Sequence, residues 1–331
     1  DMQYTAVIVN EFGEVGIDHL LVKATTEDIM MLEGGCLCCA VRSDLVTTLE
    51  TLLTKRREQA IPAFTQVLIE TSGLADPAPI LRTLIEDRFV QKHYRLGIVV
   101  TTVDAFYGGQ QLDDYDESVK QAALANQLVL TKIDWVDSTA LRQLKQRLSR
   151  FNPSAPIHEL NLSQDTLEAH VLFKTDYYDE TSQQLDIERW LQAPAYLNQS
   201  AASEPIDSHQ HDAYINSFCI EYDQPLHWLT LERWLQQLTR LRGKDLLRIK
   251  GIAYTYETDL PVVIQGVQHI LQPPTTLEAW PTQQRQTQIV FITRNIKKPV
   301  LEQVLGALIA SRTPADVCAA ALILLGQHDA S

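Results

Sequence analysis

Three thiols stand within four positions, at Cys36, Cys38 and Cys39, in the run Gly-Gly-Cys-Leu-Cys-Cys. Thiolates bind borderline and soft ions such as zinc, copper(I) or cobalt. Carboxylates at Glu11 and Glu14, in the preceding Asn-Glu-Phe-Gly-Glu, can fold back toward them and add oxygen ligands. Two glycines precede the thiols and Val41 opens a helical stripe after them, so the cluster is expected on a turn at a helix N-terminus, which favours the thiolate. Cys36 and Cys39 also have the Cys-x-x-Cys spacing of a redox pair. The third thiol and the neighbouring carboxylates favour a metal.

Two strand ends carry a second kind of chemistry. Glu70-Thr71-Ser72-Gly73 follows the apolar run Val67-Leu68-Ile69. An acid at the end of a buried parallel strand can hold Mg²⁺, directly or through water. Gly73 lets the backbone N–H approach a phosphate. Taken alone, these residues read equally well as a tight strand-to-helix turn. Thr131-Lys132-Ile133-Asp134 follows Leu128-Val129-Leu130. It resembles the guanine-recognition motif of GTPases, usually Asn-Lys-x-Asp, with threonine in place of asparagine. There the aspartate accepts hydrogen bonds from the guanine N1–H and exocyclic amine, the lysine stem packs along the base, and the carboxylate repels the ring nitrogen of adenine. The plainer reading is a polar strand end with an exposed Lys-Asp pair.

Elements suited to present such strand ends are written in the first half of the chain. Tyr4–Val9, Gln66–Thr71, Leu96–Val103 and Leu128–Thr131 are short apolar runs of the kind that form parallel strands covered on both faces. Val41, Leu45, Leu49, Leu52 and Leu53 mark a helical stripe, and Leu141, Leu144, Leu148 and Phe151 another. Asp76-Pro77 reads as a cap followed by proline at the first helical position, with Ile80, Leu81, Leu84 and Ile85 continuing that helix. This alternation indicates a doubly wound α/β sheet. The pattern fades from about Lys174, and residues 198–212 read as a solvated linker. Beyond it, Tyr214–Tyr222, Leu246–Tyr256, Val262–Leu271 and Gln288–Thr293 read as strands. Leu231, Trp234, Leu235, Leu238 and Leu241 mark a helical face, and Val300–Ala310 a further helix. Grouped strands with two helices predict a smaller α+β domain with an antiparallel sheet. Pro314–Leu325 is expected to add a terminal helix.

Taken together, Val-Asn-Glu-Phe-Gly-Glu-Val-Gly-Ile-Asp at 9–18, Gly-Gly-Cys-Leu-Cys-Cys, Glu70–Gly73 and Thr131–Asp134 occur in an order that resembles the CobW/YjiA-like P-loop GTPases. That group includes zinc- or cobalt-handling metallochaperones. Leu246–Gly251 and Gln288–Ile292 resemble the C-terminal domain of the same family. The resemblance implies a doubly wound, mainly parallel P-loop GTPase sheet with a second, smaller α+β domain. It implies domains at 1–175 (GTPase), 176–212 (linker), 213–312 (C-terminal α+β) and 313–331 (helix or tail). It implies Cys36, Cys38 and Cys39 as the metal motif with Glu14 as accessory carboxylate, Glu70 and Gly73 in the Mg²⁺ and γ-phosphate segment, and Thr131, Lys132 and Asp134 in the guanine pocket. The implied function is GTP-dependent delivery of Zn²⁺ (or Co²⁺) to a client metalloprotein, with GTP and Mg²⁺ as cofactors.

The family's Gly-x-x-Gly-x-Gly-Lys-Thr loop does not occur in the chain and is expected upstream of Tyr4. That loop cradles the β-phosphate, so the chain as written is expected to hydrolyse GTP poorly or not at all. The reading from another class is a metal-binding or scaffold homologue without GTPase activity.

The formal net charge of −14 argues against a nucleic-acid partner, because phosphate contact needs basic patches. No apolar run approaches the ~20 residues of a membrane span, and five cysteines with three clustered are no disulfide framework in a chain of 331 residues. A reducing cytoplasm is the expected compartment, and a homo-oligomer is compatible with the chain. Cys219 and Cys318 read as small buried hydrophobes, Trp190, Trp228, Trp234 and Trp280 as core or interface aromatics. Asp113, Asp114, Asp116 and Glu117 read as a solvated loop without calcium-ligand spacing. His209 and His211 read as linker residues, and His158, His227 and His269 show no partner.

Overall fold

The structure, a computed structural model, describes residues 5–10, 29–31, 41–161, 191, 193–197, 214–280 and 284–310. It divides into two compact units, Asp1–Gly97 and Ile98–Ser331.

In the first unit, β1 (Thr5–Asn10) lies between β2 (Ile29–Met31) and β3 (Gln66–Thr71), all parallel. Three helices pack on this sheet: α1 (Val41–Arg57), α2 (Pro77–Glu86) and α3 (Arg88–His93). The core joins Ala6 and Ile8 of β1 to Leu45, Leu49 and Leu52 of α1, to Ile80 of α2 and to Val90 of α3. The expected stripe of α1 is therefore its buried face. Asp76 caps α2 by accepting from the Ala78 N–H at 3.0 Å, with Pro77 at the first helical position, as the sequence predicts.

The second unit opens with another parallel sheet, β4 (Val100–Asp104), β5 (Gln127–Thr131) and β6 (Ile157–Glu159), with β5 in the middle. Here α4 (Gly108–Asp114), α5 (Asp116–Leu124) and α6 (Ser138–Phe151) supply the cover. Leu128 and Leu130 pack with Leu144, Leu148 and Phe151, the stripe expected of α6. At Gly108 a Cβ would stand 2.8 Å from Val103 Cγ1, so glycine lets the first turn of α4 lie against β4.

The same unit carries the antiparallel domain. Its strands are β7 (Ile215–Tyr222), β8 (Leu246–Ala253), β9 (Val262–Val267), β10 (Ile270–Leu271), β11 (Thr275–Thr276) and β12 (Thr287–Arg294). They run in the order β10-β9-β8-β12-β7, with β11 also on β9. Alternation sorts the side chains in β7 and β12, while in β8 a β-bulge opposite Ile292 and Thr293 puts Leu247 and Ile249 on opposite faces. On one face Phe218, Ile220, Ile249 and Phe291 meet α8 (Trp228–Arg242) and α9 (Lys298–Ala310). On the other, Cys219, Leu247, Ile252 and Val290 meet Ala123 of α5 and α7 (Ala193–Leu197). Both faces are covered, so β8 is buried along its whole length. The architecture is the α/β class with a smaller α+β domain that the sequence predicts.

Polar groups tie the end of α5 to the end of α6 and to the antiparallel sheet. Asn152 Nδ2 donates to the Ala122, Ala123 and Ala125 carbonyls at 3.0, 3.2 and 2.8 Å. Arg248 Nη1 donates to those of Leu124 and Ala125 at 2.7 and 2.6 Å. The last carbonyls of a helix have no intrahelical donor, and these two side chains supply them. Ser217 Oγ also donates to the Phe151 carbonyl, and Tyr196 to Ser154 Oγ, each at 2.8 Å. Lys250, wholly buried nearby, is held well below the usual lysine range by burial and then by the charge of Arg248.

Four expectations need correction. Val262–Leu271 is a hairpin, not one strand: β10 folds back on β9 through a two-residue turn in which Gln268 takes φ 51°. Gln-His lacks the glycine or asparagine that marks such turns. Leu241 is exposed, because the buried face of α8 ends at Leu238 and Thr239. The acidic run around Asp113–Glu117 lies across α4 and α5 rather than in a loop. Arg147 holds Asp113 at 2.7 Å and Arg294 holds Asp116 at 3.0 Å. The strand expected from Leu96 begins only at Val100, where pairing with Gln127 starts.

Candidate functional site

Glu70, the last residue but one of β3, pairs with Val9 of β1 and is exposed, with no hydrogen bond to its carboxylate among the described residues. The chain then turns: Ala75 N–H donates to the Ser72 carbonyl at 3.0 Å and Leu74 N–H to Ser72 Oγ at 3.3 Å, which leads into the Asp76 cap. Among the described residues, nothing stands within 4 Å of a Cβ built on Gly73.

The second strand end is more closely tied. Along the β4–β5 ladder Asp104 pairs with Thr131, which sets Asp104 beside the residue after Thr131. Lys132 takes φ 54° and ψ 34°, a left-handed conformation that costs a side-chain-bearing residue roughly 1–2 kcal/mol. Its Nζ meets Asp104 Oδ2 at 2.6 Å. Asp104 Oδ1 accepts from the Phe106 and Tyr107 N–H groups at 2.8 and 3.0 Å. Burial pushes the Asp104 carboxyl up, but the Lys132 hydrogen bond, the two backbone donors and the Lys132 charge outweigh it and hold the group below its ordinary value. The 3₁₀ turn Ile133–Trp135 follows, closed by Trp135 N–H donating to the Lys132 carbonyl at 3.0 Å. Asp134 is exposed and its carboxylate makes no hydrogen bond among the described residues. Thr131 Oγ1 lies 3.5 Å from the Val103 carbonyl.

Aromatic rings flank this turn. Lys132 Nζ stands 5.5 Å from the Trp135 ring centroid, and Phe106 meets Trp135 edge-on at 6.3 Å. Trp135 is 60% exposed and Phe106 52%. Sequence reading missed Asp104, Phe106 and Trp135. The available signal was that Asp104, like Glu70, is an acid at the end of an apolar strand.

Cys36, Cys38, Cys39 and Glu14 lie outside the described residues, as do Glu11, Cys318, Trp190, His209, His211 and the Pro314–Leu325 segment. Among the described residues no cluster of three or more metal-ligating side chains occurs. Cys219 is fully buried, and burial, with Glu221 adding to it, pushes its thiol up to about 12, so it is the inert hydrophobe expected. Trp234 lies in the core on one face of the antiparallel sheet with Trp228 packed against it, and Trp280 packs against the core on the other face. His227 Nδ1 lies 3.4 Å from Glu257 and His269 Nδ1 2.9 Å from the Thr239 carbonyl, partners the sequence did not show.

Two family models match the chain. The CobW/HypB/UreG nucleotide-binding domain covers residues 1–159 and the cobalamin synthesis protein CobW C-terminal domain covers 215–309. The chain belongs to the CobW family. Curated relatives include the zinc chaperone YjiA of Escherichia coli (strain K12), 28% identical over 80% of this chain and 77% of the relative. The zinc chaperone CobW of Sinorhizobium sp is 25% identical over 81% and 78%. The zinc-regulated GTPase metalloprotein activator 1 of Saccharomyces cerevisiae is 25% identical over 91% and 76%. Among solved structures, the zinc-bound YjiA GTPase from E. coli shares the fold with a TM-score of 0.64 at 20% identity, over 92% of this chain and 98% of that one. No helix among the described residues of this CobW-family protein is long and apolar enough to cross a membrane.

Proposed function

We propose that the protein is a GTP-dependent metallochaperone. It takes up zinc at Cys36, Cys38 and Cys39, with Glu14 as accessory carboxylate, and couples GTP hydrolysis to delivery of the ion to a client metalloprotein in the cytoplasm. The observation that carries this reading is the end of β5: Asp134 stands exposed after a buried parallel strand while Asp104 fixes Lys132 two residues before it. The names borne by the curated relatives, zinc chaperone and zinc-regulated GTPase metalloprotein activator, point the same way.

Asp134 would accept hydrogen bonds from the guanine N1–H and amine, and the Lys132 stem would lie along the base. At the end of β3, Glu70 is an exposed hard-oxygen donor of the kind that Mg²⁺ takes. Gly73 has no side chain to bar a phosphate from its backbone N–H, so these residues suit the groups they would hold. Bound Mg²⁺ would supply charge neutralisation to the phosphates. The Glu70–Asp76 segment would tighten around a third phosphate and loosen without it, an order–disorder switch. Under this reading residues 1–175 form the GTPase domain, 176–212 a linker, 213–312 the α+β domain that docks the client or regulates the first, and 313–331 a terminal helix or tail. Cobalt is the other ion that three thiolates admit.

The test is zinc affinity of the full-length gene product with and without a non-hydrolysable GTP analogue. Tighter binding with the analogue is expected, and equal affinities would end the coupling. Replacing the three thiols with serine should weaken zinc binding by at least about tenfold. Unchanged uptake would remove them from the site.

A further inference from the structure

Asp104 belongs to no motif singled out in the sequence, yet it is the residue that orders the end of β5. Its two oxygens do different work. Oδ1 accepts from the Phe106 and Tyr107 N–H groups and so shapes the turn from β4 into α4. Oδ2 holds Lys132 Nζ at 2.6 Å. The carboxylate is largely shielded, with a side-chain exposure of 16%, whereas Lys132 keeps 43%. Without that contact the lysine would be a long, flexible side chain on a strained left-handed backbone, free to sample many rotamers. With it, the ammonium is anchored from below and stands 5.5 Å from the Trp135 ring centroid. A purine bound by the Asp134 edge needs a fixed face to lie on. A lysine stem held in one rotamer beside an exposed indole offers such a face without an ordering cost at the moment of binding.

We propose that Asp104 is a positioning residue of the guanine site: it pre-orders Lys132 beside Trp135 and thereby sets the strength and selectivity of base binding. The inference rests on the reading of Thr131–Asp134 as the base site. Asp104 touches neither nucleotide nor phosphate in this role and acts through Lys132 alone.

Asp104→Asn separates the two duties, because the asparagine Oδ1 still accepts from Phe106 and Tyr107 while the ion pair is lost. The measurement is binding of a fluorescent GDP analogue, and of its ADP counterpart, to the full-length gene product. D104N should weaken GDP binding by about fivefold, the scale of a partly exposed ion pair, and narrow the GDP-over-ADP preference. In a Lys132→Met background D104N should have no further effect. An equal loss in both backgrounds would show a structural role for Asp104, and no loss in the wild-type background would show none at the site; either result overturns the proposal. Asp134→Asn tells the two levels apart. If it leaves the guanine preference intact, the base-site reading itself fails. If it abolishes the preference while D104N changes nothing, only the role of Asp104 fails. A thermal melt accompanies each variant, and should D104N not fold, Asp104→Ser, which keeps a short acceptor for the turn, takes its place in the same cycle.

Discussion

The strand that ends at Thr131 is buried along four of its five residues, whereas none of the six residues of the strand that ends at Thr71 is fully buried. The motifs at their ends differ in the same sense. After β5, Lys132 is anchored by Asp104 and a hydrogen-bonded turn follows at once. In β3, Glu70 is exposed, and among the described residues nothing stands within 4 Å of a Cβ built on Gly73. A base must be recognised whichever phosphates it carries, so its site gains from being built in advance. A segment that reports a third phosphate must have two arrangements, and few buried contacts make that inexpensive. The contrast matches the division of labour in the proposed function.

The largest expected effect tests whether β5 really is the rigid strand. Leu130 is fully buried, so Leu130→Ala should cost about 2–5 kcal/mol. The half-buried Ile69 of β3 should cost only about 1–2 kcal/mol when changed to alanine. Urea unfolding of the two variants gives both figures, and equal losses would erase the contrast. Next comes the fastening of α5, the helix that leads into β5. Arg248→Met removes the donor to the Leu124 carbonyl and should cost about 1–3 kcal/mol in a thermal melt. A neutral result would show that the antiparallel domain does not brace the base end. On the other side of the comparison, Asp76→Ala removes the cap of α2 and should cost about 1 kcal/mol in the same melt.

The smallest effect is a pH dependence. Asp104 is held below its ordinary value in the folded protein, so its contribution is present above the unfolded carboxyl value and lost as pH falls through the folded one. Since Lys132 is partly exposed, that contribution is below about 1 kcal/mol. The stability gap between wild type and Asp104→Asn should hold from about pH 7 to about pH 5 and close as pH falls below the ordinary carboxylate range. A gap that persists in acid would mean that charge is not what ties Lys132 down.

Much of the fold was legible because apolar periodicity is a local property. Leu45, Leu49 and Leu52 face the core of the first unit at the spacing their helix requires, and Phe218 and Cys219 fall on opposite faces as alternation demands. Where a local signal was weak, the reading slipped. Gln268-His269 carries no turn chemistry, and the hairpin there is imposed by the pairing of β10 with β9. The residues expected to touch base and phosphate were legible as polar groups at the ends of apolar strands, and the three thiols as a cluster in the chain.

The sequence by itself determined the class of fold, the strands whose ends carry polar motifs and the clustering of three thiols, since each is written in neighbouring residues. Only the tertiary structure decided that Asp104 meets Lys132 and that Arg248 serves the end of α5. These partners lie 28 and more than a hundred residues apart. Their meeting depends on which strands pair and in what register. The parallel match of Asp104 with Thr131 brings the carboxylate within reach of the next residue's ammonium, and a shift of one position would turn it to the other face of the sheet.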